Sequence, residues 1–186
     1  MKNNFSKIIL LLIPIFFNSC DNITSPVIKQ NLIPNSSFEE NGEPSLSGWT
    51  VYDSEAIHFS NDVPPGGGKW SIYMFGNNPL SLQPILLRLM SRKVNLLNGN
   101  NIYIFSFWAK ADSTVNADVS LQAFINGSAE VDKDIVVATP NWTNYNIVDT
   151  LNSANYDSVE VSFQNGYSYI NAQGRTFFDL CSLTVK

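Results

Sequence analysis

The sequence predicts an all-β fold, a single-domain β-sandwich or jelly roll of two antiparallel sheets, and three observations predict it. From Asn31 onward, short runs rich in Val, Ile, Phe, Tyr and Trp are separated by Gly, Pro and Asn, the residues that supply turns. No apolar stripe of period 3.6 persists over the length of a helix. Several runs alternate apolar and polar residues one by one, the period of a strand buried on one face. The runs are 49–52, 56–60, 70–75, part of 80–94, 101–110, 118–125, 134–137, 141–148, 158–164 and 176–185. About eight to ten strands over roughly 155 residues is what a two-sheet sandwich requires. Within 80–94, the stretch 84–90 (PILLRLM) fits a helical turn as well as a strand.

The three clearest strands each divide into two faces. In 101–110, Tyr103, Phe105, Phe107 and Ala109 share the core side, while Ile104, Ser106, Trp108 and Lys110 share the other. In 118–125, Val119, Leu121, Ala123 and Ile125 face in, and Ser120, Gln122 and Phe124 face out. In 158–164, Val159, Val161 and Phe163 face in, and Glu160, Ser162 and Gln164 face out. The outward faces mix aromatic and polar groups, the chemistry of a ligand platform.

Before the fold comes a leader. Lys2 and Lys7 precede an apolar run at 8–17, and Asn18-Ser19 lead to Cys20. Residues 1–19 read as a signal peptide, since ten apolar residues containing Pro14 are too few to span a ~30 Å hydrocarbon layer as a helix. The stretch Phe17-Asn18-Ser19-Cys20 resembles a bacterial lipobox, in which Cys20 carries the lipid; the alternative is ordinary cleavage with Cys20 left as a thiol. Residues 20–30 are then the lipidated cysteine and a polar tether reaching ~30 Å at most, and residues 31–186 are the sandwich.

Composition narrows the partners. In 186 residues, 44% hydrophobic and 15% charged, there is material for one ordinary core. A formal charge of −5 offers no basic stripe to nucleic acid. Aromatics at 12% and Asn-rich loops suit flat, hydroxyl-rich ligands, and also suit any turn-rich β protein.

The opening stretch, 31–49 (NLIPNSSFEENGEPSLSGW), reads as a strand-like entry broken at Pro34, a turn at 35–37, then Phe38 beside Glu39 and Glu40. Its N-L-I-x-N-x-x-F-E…G-W pattern resembles the opening of carbohydrate-binding modules of the family 4/9/16/22 type, which are jelly rolls of the galactose-binding-domain-like kind. The likeness continues at Gly66-Gly67-Gly68-Lys69-Trp70-Ser71-Ile72, at 94–111, at Trp142-x-x-Tyr145, and at the closing run 176–185. That closing run interrupts an apolar strand with Asp179, a carboxylate that needs a partner if buried. Leu180 stands where the family pattern has a second Asp, and Cys181 where it has Val.

The resemblance implies a structural Ca²⁺ held by carboxylates of Glu39 and Asp179 with backbone carbonyls near Gly68 and Lys69, hard oxygen donors of the kind this ion takes. The alternative is Asp179 paired with Lys69 or with backbone N–H groups. Sugar binding would use Trp108, Phe124, Gln122, Glu160 and Gln164 on one sheet face, with Trp49, Tyr52, Tyr167 and Tyr169 able to add to it. The opposing reading makes Trp49 and Trp142 core and leaves Trp108 and Phe124 packed under a loop.

No catalytic residues are expected. His58, the single histidine, sits in a short strand-like run, and no G-x-S-x-G nucleophile motif occurs. Neighbouring Glu39 and Glu40 point to opposite faces of a strand, not across the ~5–9 Å gap of a glycosidase pair. The expected function is therefore non-catalytic binding of a poly- or oligosaccharide by a lipoprotein tethered to the bacterial cell envelope. The outer membrane or cell surface is favoured over the inner membrane, with hydrolases or surface proteins as possible partners. The competing readings are a structural or adhesion module making protein contacts, and a component of a glycan-active hydrolase.

Overall fold

The computed structural model describes residues 30–52, 54–77, 87–112, 117–165 and 173–186. The leader, Cys20 and most of the tether lie outside the described residues, as do Tyr167 and Tyr169. Among the described residues no helix occurs, and none is long and apolar enough to cross a membrane.

The described residues form twelve strands in order: β1 Glu39–Glu40, β2 Glu43–Pro44, β3 Thr50–Val51, β4 Ile57–Ser60, β5 Ser71–Asn77, β6 Leu87–Asn95, β7 Asn100–Ala111, β8 Ala117–Ile125, β9 Ser128–Val137, β10 Thr143–Asn152, β11 Ser158–Asn165 and β12 Gln173–Val185. Ten of them form two antiparallel five-stranded sheets, ordered β10-β7-β12-β5-β4 and β3-β6-β11-β8-β9, while β1 and β2 pair only with each other. The chain is an all-β sandwich, as its alternation predicts. Residues 87–90 are strand; 84–86 are outside the described residues.

The inward face of each strand follows from its alternation. Tyr103, Phe105, Phe107 and Ala109 of β7 are fully buried, and so are Val159, Val161 and Phe163 of β11. Phe163 is the hub where the two sheets meet. Its ring centroid lies 4.5 Å from Phe178, 5.6 Å from Trp49, 6.1 Å from both Phe105 and Phe107, and 6.5 Å from Phe38. Truncating such a ring to alanine costs ~4 kcal/mol, because the cavity left among five aromatics cannot close.

The opening stretch serves as a clasp. Asn31–Ile33 form no strand; the Asn31 side chain instead accepts the N–H groups of Ile33 and Leu183 and donates to the Cys181 carbonyl. Leu32 adds a backbone bond to Leu183, and Cys181 one to Ser36. An amide supplying both donor and acceptor sews the N-terminal segment to β12 without needing strand geometry.

Candidate functional site

Strand alternation tells which side of a sheet a residue faces, but not which sheet it belongs to. Trp108 lies on β7, in one sheet, whereas Gln122 and Phe124 on β8 and Glu160 and Gln164 on β11 lie in the other. All five point away from the core, so Trp108 is on the opposite outer surface and the expectation of one shared platform is corrected. The chain crosses between the sheets after β7, and the period-two pattern carries no record of that crossing.

The outer face of β3-β6-β11-β8-β9 is ordered into rows by its registers. One row runs Thr50, Ser91, Ser162, Ser120, Asp134 across all five strands, a span of ~19 Å at ordinary strand spacing. A second, beside it, runs Lys93, Glu160, Gln122, Asp132. On the other side Gln164 stands opposite Asp118, which pairs with Val136. The three serines are buried, low between rows of longer side chains.

Two larger side chains reach the serine row. The hydroxyls of Ser120 and Ser162 are 2.7 Å apart, and the Gln164 amide nitrogen donates to them at 3.4 and 3.3 Å. Just past the edge strand β3, the Tyr52 hydroxyl lies 3.3 Å from the Ser91 hydroxyl, yet Tyr52 is 56% exposed. Its ring is thus tethered at the polar tip and open to solvent. Across the sheet, on β8 and β9, the Gln122 amide donates to Asp132 at 3.0 Å. An exposed ring on the same sheet face as amides and carboxylates is the chemistry a pyranose needs, with C–H groups for the ring and hydroxyls for the polar edge.

Phe124 does not supply that ring. It is 8% exposed, and the Lys93 ammonium sits 4.1 Å from its centroid, capping the face a sugar would use. Asp118 is pushed above the usual carboxylate range, first by burial and then by the neighbouring charges of Asp134 and Asp132.

The opposite outer face, on β10-β7-β12-β5-β4, carries more aromatic rings. His58, Tyr73 and Phe177 stand side by side on β4, β5 and β12 with centroids 5.0 and 5.4 Å apart, and Trp142 meets Phe177 at 6.2 Å. Trp142 is therefore part of a surface cluster and not of the core, whereas Trp49 is core. Lys110 lies over both Trp142 and Phe177, Arg175 over both Tyr73 and Phe177. Each cation is also ion-paired, Lys110 with Asp62 and Arg175 with Asp112. The Trp142 indole donates to Asp62 at 3.0 Å.

Glu39 and Asp179 do converge. Glu39 Oε1 accepts the backbone N–H groups of Lys69 and, at 2.6 Å, of Trp70. A Cβ added at Gly68 would collide with the Glu39 carboxylate, and one at Gly67 would fall 2.7 Å from Asp179 Oδ2, so the glycines admit both carboxylates to one turn. Asp179 is fully buried; Oδ1 accepts the Leu180 N–H at 2.7 Å, while Oδ2 is buried with no hydrogen-bond partner. Burial raises its pKa from 3.8 to about 7, with the Glu39 charge adding to the effect. The Lys69 carbonyl already accepts from Asn61 at 3.0 Å, which leaves it one lone pair. An orphaned carboxylate oxygen beside a second carboxylate, in a cradle open only to glycine, fits a hard cation. Among the described residues no three His, Cys, Asp or Glu side chains group around a metal position, so backbone carbonyls or water would have to complete a Ca²⁺ shell.

Cys181 is a free, fully buried thiol, held well above its ordinary pKa by burial and by the charge of Asp179. His58 is exposed and its ring meets that of Tyr73 at a tilt of 34°.

A two-sheet jelly roll with one polar, ring-bearing outer face and a carboxylate-lined turn at its clasp defines a class of ligand-binding β-sandwich. The family model of a carbohydrate-binding domain, families 4 and 9, matches residues 30–174, and the chain belongs to that family. No curated protein matches the sequence. Among solved structures, a family 16 carbohydrate-binding module is 21% identical with a TM-score of 0.59, covering 83% of this chain and 99% of its own. The module TmCBM61, solved with β-1,4-galactotriose, is 20% identical with a TM-score of 0.55, covering 84% and 99%. The enzymatically active domain of bacteriophage CBA120 tailspike protein 4 is 17% identical with a TM-score of 0.59, covering 84% of this chain, which spans about a fifth (21%) of that longer one. At these identities the structures speak for the fold alone.

Proposed function

We propose that the chain binds a poly- or oligosaccharide, without catalysis, on the outer face of β3-β6-β11-β8-β9. The observation that carries this reading is Tyr52, an exposed ring anchored on Ser91 beside the row that Gln164 caps. Gln122, Glu160 and Gln164 keep the binding role expected of them, Tyr52 takes the stacking role, and Trp108 and Phe124 drop out. Family membership and the galactotriose complex of TmCBM61 support a glycan ligand. Affinity electrophoresis through gels containing β-1,4-galactan, xylan or mixed-linkage β-glucan tests it. Retardation by at least one polymer, lost in Tyr52→Ala, is the expected result. Uniform silence from the folded protein would favour the competing reading, in which the same sandwich makes protein contacts.

Glu39 and Asp179, with the Lys69 carbonyl, are proposed as ligands of a structural Ca²⁺ whose bound charge would compensate the buried pair and lock the opening stretch to β12. Cys20 is proposed as the lipidated residue that tethers the module to the cell envelope, at the outer membrane or cell surface, near partner hydrolases or surface proteins. Mass spectrometry of the Cys20 peptide, from protein made in a bacterium, decides between a diacylglyceryl thioether and a free thiol.

A further inference from the structure

The β11-β8-β9 part of the binding face proposed above is rich in carboxylates, and this inference rests on that reading. Asp118, Asp132, Asp134 and Glu160 stand on three adjacent strands of the outer face. The basic residues of this face stand on the neighbouring β6, Lys93 opposite Glu160 and over the Phe124 ring, and Arg88 opposite Gln164 in register. The opposite outer face balances its charges, Lys110 with Asp62 and Arg175 with Asp112. On the ligand face the excess of carboxylates is concentrated at β8 and β9, where Asp118, Asp132 and Asp134 stand.

We propose that this face selects uncharged glycan chains and rejects chains that carry uronate carboxylates. At the β8 and β9 end of the serine row a glycan would run between Asp132 on one side and Asp118 on the other, with Asp134 at the end of the row itself. A uronate carboxylate entering there meets like charges on neighbouring strands, within the ~8–10 Å over which salt leaves them unscreened. Neutral hydroxyls instead donate to the same oxygens. The carboxylates thus serve as acceptors for one class of chain and as a barrier to the other. The raised pKa of Asp118 agrees with acids crowded enough to feel one another.

The test uses the full chain in affinity gels with matched pairs of polymers. β-1,4-Galactan and mixed-linkage β-glucan are each run as made and after oxidation of their primary hydroxyls to uronate, and arabinoxylan is run beside glucuronoxylan. The expected result is retardation by a neutral polymer that falls at least about tenfold with its uronate-bearing counterpart. Binding to the charged polymer should recover in part at about 0.5 M salt, where the screening length is a few ångströms, and in the Asp118→Asn/Asp134→Asn variant. Equal or stronger retardation by the charged member would overturn the charge rule while leaving the glycan face standing. An undiminished loss at high salt and in the variant would assign the rejection to shape and also overturn it. Silence on every neutral and charged polymer would instead remove the glycan-binding reading, and this inference with it.

Discussion

The two outer faces of the sandwich invert what aromatic content suggests. The face of β10-β7-β12-β5-β4 carries His58, Tyr73, Phe177 and Trp142 in ring contact, yet Phe177 is 3% exposed and the cluster is covered by Lys110 and Arg175. Its rings are satisfied by the protein's own cations. Among the described residues, the face of β3-β6-β11-β8-β9 offers one exposed ring, that of Tyr52, on a floor of serines. What distinguishes a candidate binding face is a ring left open beside polar groups, and not the number of rings.

The largest effect that separates the two faces is expected at Phe177. Phe177→Ala removes a nearly buried ring that carries two cation–π contacts and two ring contacts, and should destabilise the fold by about 3 kcal/mol without changing glycan retardation. Chemical denaturation and affinity gels on the same preparation measure both; a loss of binding in a folded variant would break the division of roles. Next is Tyr52→Ala, expected to weaken binding at least about tenfold, or ~1.4 kcal/mol, with an unchanged melting temperature because the ring is exposed.

Asp179 gives a smaller and signed effect. Its folded pKa of about 7 stands above the ordinary 3.8, so between those values the folded state holds a proton that the unfolded state has lost. Stability therefore falls as pH rises through that window and levels off above it. In chelator, the melting temperature should drop from pH 4 toward pH 7; with Ca²⁺ added, the drop should shrink or disappear. The same slope with and without Ca²⁺ would remove the metal from Glu39 and Asp179. The smallest expected effect is at Trp108, whose replacement by alanine should leave retardation unchanged, since it lies on the other sheet.

Much of this was legible in the sequence, for identifiable reasons. The alternation in 101–110, 118–125 and 158–164 reports a local period, so it gave the core faces of β7 and β11 correctly and that of β8 as far as Ala123; Ile125, expected inside, lies past the bulge at Ala123/Phe124 and is only half-buried. Sheet membership is set by long-range pairing, so nothing in that period separated Trp108 from Gln122. The convergence of Glu39 and Asp179 was legible only through family resemblance, because the two residues are brought together by Gly67 and Gly68 in a third segment. Tyr52 was visible as a loop aromatic, but its anchor on Ser91 depends on the pairing of β3 with β6. The capping of Phe124 by Lys93 left no sequence signal, since it joins residues from two strands that are not themselves paired.

The most direct measurement of the central claim is a solution NMR titration of the protein with whichever glycan retards it, following backbone amides and the indole N–H signals together. The amides of Tyr52, Ser91, Gln122, Glu160 and Gln164 should shift with a common dissociation constant, while the indole signals of Trp108 and Trp142 stay in place. Saturable shifts at Trp108 and Trp142, with the serine row unmoved, would put the glycan on the opposite face and contradict the account.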